Sequence, residues 1–181
     1  MSRILQRFPD RTQILPVYAV AAFIVYAWAL LWFFWKLPGW LYYLSVGDVI
    51  AALTYVLATN LAESLLVLCA PLILAAILPK RWFRDVFVAR GASLCIAGLG
   101  YAMFLADTFK SKIDYPALSL HAWTVPVVLI AIALLVYACG RIALARRVLE
   151  VIADRATIFV YILVPASILS LVAISVRSLV R

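Results

Sequence analysis

Asn60 and Glu63 stand three residues apart inside an apolar run from about Val49 to Leu78, with Thr59 and Ser64 beside them and Thr54 upstream. On a helix that spacing puts two side chains on neighbouring positions one turn apart. Glu63 is the only charged residue in the run. A carboxylate at bilayer depth costs at least ~2.5–3.5 kcal/mol, so such a residue normally marks a pathway, a relay or a packed polar contact. The chemistry open to Asn60, Glu63, Ser64 and Thr59 is that of a substrate, proton or ion site, with Glu63 as the titrating or coordinating group. The structural alternative is a neutral Glu63 bonded to Asn60 or to a hydroxyl such as Ser167 or Ser170. Hydrocarbon disfavours the charged form of a carboxyl, and interhelical polar contacts are common between membrane helices.

The remaining candidates carry less chemistry. Asp48 and Asp107, with Lys110, Lys112 and Asp114, lie near span ends, where charges are normally solvated. Together they could form a polar mouth leading towards Glu63. His121 is the single histidine, which excludes a bis-histidine haem within the chain and leaves a metal too few ligands. Cys69, Cys95 and Cys139 have no short spacing and read as small packing residues. No nucleophile has a base at a recognisable spacing, and there is no phosphate-binding glycine loop. No cofactor is expected.

The elements that must carry these residues follow from composition. Of the 181 residues, 68% are hydrophobic and only 13% charged, where a soluble domain carries about a quarter charged. Apolar runs of about 20 residues, enough to cross ~30 Å of hydrocarbon, recur with little sequence between them. The expected fold is an all-α integral membrane protein, a single domain over 1–181. Its spans fall near 14–35, 49–78, 87–109, 123–139 and 157–176. Trp32, Trp35, Trp40, Tyr42 and Tyr43 suit the headgroup boundary at the end of the first span, and Leu37-Pro38-Gly39 is read as its break. Pro71 gives the over-long second span a cause for a kink. Arg3, Arg7 and Arg11 precede an apolar run too long for a cleavable signal and lacking its cleavage site, so the run is read as the first helix.

Gly91, Cys95, Gly98 and Ala102 fall on one stripe of the third span and are read as a packing face, of the kind that lets helix backbones approach closely, against Ala58 and Ala62. Arg141 to Arg155 is read either as a short helix on the membrane surface or as a continuation of the fourth span.

The net charge of +8 does not imply nucleic acid, because the basic residues gather at span ends. Alternate sides of the membrane carry eleven and five Lys and Arg. The positive-inside rule then places the N-terminus in the cytoplasm, the C-terminus outside, and the chain in a bacterial inner (plasma) membrane.

Ser45-Val-Gly-Asp-Val-Ile at the entry to the long second span, the basic turn Pro79-Lys-Arg-Trp-Phe-Arg-Asp, the run Tyr101 to Leu118, and the last span with its lead-in Ala153-Asp-Arg-Ala-Thr come in a telling order. That order resembles the five-helix membrane module of sulfatase-like envelope enzymes, the lipoteichoic acid synthase and phosphoethanolamine transferase kind. The resemblance implies a cytoplasmic start and an external catalytic domain. The catalytic Thr or Ser and the Asp/His metal ligands of that domain have no counterpart in these 181 residues, so no catalytic residue carries over. The expected function is a non-catalytic membrane subunit or scaffold in an envelope assembly. Its partners would be membrane lipid and either a protein partner or further copies of itself. The rival is a small oligomeric transporter or channel around Glu63 and Asn60. A lipid-processing enzyme is the least supported, because the catalytic inventory is thin.

Overall fold

The structure, a computed structural model, describes residues 9–110 and 124–180. Its long helices are α1 (Arg11–Trp40), α2 (Val46–Ile77), α4 (Phe87–Lys110), α5 (Thr124–Arg141) and α6 (Ala143–Val180). A single turn, α3 (Lys80–Phe83), and a 3₁₀ turn at Arg84–Val86 join α2 to α4. There is no strand among the described residues. All five long helices are long and apolar enough to cross a membrane, the architecture of a multi-pass membrane protein. Helices suit that role because backbone N–H and C=O groups in lipid must be paired within the segment.

Local sequence explains the start of α2 but not the end of α1. Ser45 and Asp48 form a capping box at the start of α2: the Asp48 amide donates to Ser45 Oγ at 3.3 Å, and the Ser45 amide donates to an Asp48 carboxylate oxygen at 3.3 Å. α1 continues through Pro38 to Trp40, past the break expected at Leu37-Pro38-Gly39. At the end of a helix, proline removes only one ladder bond, here to the Phe34 carbonyl. Trp28, Trp32 and Trp35 follow one another edge to face along this half of α1, at centroid distances of 5.8 and 5.0 Å. α2 runs unbroken through Pro71, whose ring is buried, and its 32 residues measure about 48 Å. The Arg141–Arg155 segment takes neither expected form. After one residue outside helix at Ile142 it becomes the first turns of α6, with Arg146 and Glu150 paired at 2.8 Å on its exposed side.

α1 is the central stave, packed against α2, α4 and α6. Val17 to Ala22 are buried without interruption, so this stretch is covered on every side. Alanines at 19, 21 and 22 keep the neighbouring backbones close. Gly91 of α4 faces Val17, and a methyl group at Gly91 would come within 3.0 Å of its side chain. α1 and α4 therefore start at the end of the bundle where α2 and α5 finish. α5 is peripheral: only 6% of its apolar window is buried, against 44% for α1.

Candidate functional site

α2 buries one stripe, made of Asn60, Ser64, Leu68, Pro71 and Ala75. Those positions advance mostly by four, and each such step rotates the face about 40° forward. Glu63 lies three beyond Asn60, about 60° backward, which carries it off the stripe. The structure accordingly divides the four sequence candidates. Asn60 and Ser64 point into the bundle, at 3% and 0% exposure, whereas Thr59 and Glu63 are exposed. Glu63 makes no hydrogen bond or ion pair with any described residue, and neither Ser167 nor Ser170 reaches it. The Thr59 hydroxyl donates back to its own helix, at the carbonyls of Tyr55 (2.9 Å) and Val56 (3.0 Å).

The polar groups that do meet lie between α1, α2 and α6. Tyr18 of α1 donates to Ser64 Oγ of α2 at 3.4 Å, and Ser64 in turn donates to the Leu61 carbonyl at 3.0 Å. Tyr26 of α1 reaches Ser167 Oγ of α6 at 2.6 Å, and Ser167 donates to the Leu163 carbonyl at 2.9 Å. With the serine protons committed to carbonyls, each tyrosine supplies the proton between helices. The Tyr26 hydroxyl also lies 3.4 Å from the Leu57 carbonyl. Both donor chains end on backbone oxygen, so they clamp α1 to its neighbours and offer no acceptor from which a proton could move onward. The Asn60 amide nitrogen, one turn before Ser64, is buried with no acceptor among the described residues. Tyr18 and Tyr26 were invisible as site residues in the sequence, since tyrosines recur along every span.

The small-residue stripe is also divided. Gly91 and Cys95 are buried, and Gly91 meets Val17 of α1 rather than Ala58 or Ala62 of α2. A methyl at Gly98 would meet nothing within 4 Å, and Ala102 is exposed. The three cysteines are free. Asp48 belongs to the α2 cap and Asp107 is exposed. Lys112 and Asp114 of the expected polar mouth lie outside the described residues, as do the side chain of Lys110 and the single histidine, His121. Among the described residues no group of His, Cys, Asp and Glu could hold a metal ion.

One charged residue among those at the span ends is internal. Arg90, in the first turn of α4, is 5% exposed. One of its terminal nitrogens donates to the Trp82 carbonyl, its guanidinium carbon lies 5.9 Å from the Tyr137 ring centroid, and its Nε has no acceptor among the described residues. Gly140 of α5 leaves the room for it, since a methyl group there would overlap the guanidinium. That glycine, one helical turn from a tyrosine and facing a basic turn, was the available signal.

Comparison with known proteins finds no family model that matches this chain, and neither a curated protein nor a solved structure matches it.

Proposed function

We propose that this chain is a non-catalytic membrane subunit that packs against a partner helix through the outer face of α2. The observation that carries the reading is Glu63, exposed halfway along a spanning helix and without a partner among the described residues. Left in lipid, that carboxyl is costly. Set against a donor on another helix, it becomes a specific contact. Thr59, Leu66, Ala70, Ile73 and Ile77 continue the same outward strip, which is apolar apart from its upper end. The closed tyrosine–serine clamps support a rigid support role rather than transfer chemistry.

In this reading the bundle sits in a bacterial inner membrane with its N-terminus cytoplasmic, as the distribution of Lys and Arg favours. The likeness to the membrane module of sulfatase-like enzymes fits it as well: an enzyme domain on another polypeptide would be one such partner. The test is the mass of the native complex in mild detergent, with every co-purifying chain identified. A stable hetero-complex that Glu63→Leu dissolves is the expected result, and a lone monomer with full biological activity would end the proposal.

The same exposed carboxyl favours one rival, an oligomeric transporter or channel in which Glu63 from several copies converges on a shared axis. A pure homo-oligomer whose flux in proteoliposomes is lost in Glu63→Gln would establish that reading in place of the first.

A further inference from the structure

A second feature lies away from the Glu63 face, at the end of the bundle where α2 and α5 finish. A cavity of about 700 Å³ opens there between α2, α3, α4 and α5, within the ~300–1,000 Å³ range of small-molecule sites. Its walls are aliphatic and aromatic, among them Leu74, Leu78, Leu94, Leu129 and Tyr137. The outer wall is open, with Leu129 57% and Trp82 61% exposed. Among the lining residues Arg90 alone carries charge.

We infer that this groove binds one phospholipid with an anionic headgroup, its phosphate held at Arg90 and an acyl chain lying along α5 and α4. Charge complementarity selects the head. Arg90 is buried without a counter-ion among the described residues, where the ion pair is Arg146–Glu150. Burying an unpaired guanidinium is unfavourable, and a phosphate can satisfy it with paired charge-assisted hydrogen bonds. A second guanidinium stands at the same tyrosine: Arg141 donates to the Tyr137 hydroxyl at 3.1 and 2.9 Å, with its guanidinium carbon 5.4 Å from the ring centroid. The sequence adds Lys80, Arg81 and Arg84 to the neighbouring turn, a composition that draws anionic lipid to the surface.

The walls select the tail. From the level of Tyr137 to that of Leu129 the α5 wall descends about 12 Å with no polar side chain, which suits an alkyl chain and offers a free anion nothing. The site is separate from the outer strip of α2 and does not depend on what binds there.

The experiment is native mass spectrometry of the full chain in mild detergent, with phosphatidylglycerol and phosphatidylcholine of the same acyl composition offered together. One retained phosphatidylglycerol is expected, preferred by about tenfold or more, the scale of one hydrogen bond to a charged group. Arg90→Gln should erase the preference. Ala133→Phe, which fills the groove wall one turn deeper than Tyr137, should lower retention of both lipids and keeps the test open if the Arg90 variant fails to fold. Equal retention of the two lipids by the unaltered chain would overturn the inference. So would displacement of the lipid by inorganic phosphate alone, which would assign the site to a soluble anion. A lipid-free dimer broken by Ala133→Phe would overturn it too, by giving the groove to a second copy.

Discussion

The inner and outer faces of α2 carry nearly the same number of polar side chains and put them to opposite use. Inside, Ser64 accepts a hydrogen bond from Tyr18 and donates its own to a carbonyl one turn back, so no charge is present and one helix is tied to another. Outside, Thr59 closes on its own backbone and Glu63 stands alone. Neutral hydroxyls can be satisfied within a single pair of helices. A carboxyl halfway along a spanning helix cannot be satisfied by lipid, and no described residue of the bundle reaches it. The difference separates what holds the protein together from what remains available to another molecule.

That contrast can be broken most sharply by exchanging size across it. Ser64→Leu pushes a larger side chain against Tyr18 at a position with 0% exposure, and overpacking of this kind costs about 1–3 kcal/mol. Reversible unfolding in mixed micelles should show that loss, while Glu63→Leu on the outer face leaves monomer stability within about 0.5 kcal/mol. Equal losses from the two would mean that α2 has no distinct outer face.

The clamps come next in size. Interhelical polar contacts in membranes average about 0.6 kcal/mol and reach about 1.7. Tyr26→Phe, removing the 2.6 Å bond to Ser167, should cost more than Tyr18→Phe, which removes one of 3.4 Å. A reversed order in the same unfolding assay would show that the two hydroxyls are not the groups joining the helices.

Asn60 sharpens the comparison from the other side. Its amide nitrogen is buried without an acceptor among the described residues, so Asn60→Leu should be neutral or slightly stabilising in the isolated monomer. A destabilisation above about 1 kcal/mol would reveal a bond that the bundle alone does not account for. The smallest expected change is that of Thr59→Val, whose hydroxyl bonds only its own helix. Its unfolding curve should overlay that of the unaltered chain, and a clear shift would place Thr59 in an interhelical contact.

Much of the architecture was readable because span length and hydrophobicity are local properties. α1, α2 and α4 run over the stretches 14–35, 49–77 and 87–109, and α2 stops two residues before Pro79. The Ser45-x-x-Asp48 cap was also present in the sequence as a known start signal, although it stood there only as part of a resemblance. The lead-in to the last span was read less well. Ala143 to Arg155 contains no proline or glycine, so nothing local separates it from the rest of the span that follows, and it forms the start of α6. Its charges suggested a surface element, but helical hydrogen bonding is indifferent to whether a turn is charged.

The sequence by itself determined that apolar segments long enough to span a membrane would be helical, because lipid offers their backbone no other partners. It also determined that a single carboxyl would lie among them. Only the tertiary structure decided which way that carboxyl faces. A hydrophobic helix has no polar side to declare its orientation, so the buried stripe is chosen by where Tyr18, Tyr26, Val17 and the small residues around them let backbones approach. The same choice turned Arg90 inward, since the space left by Gly140 exists only once α5 has docked on α4.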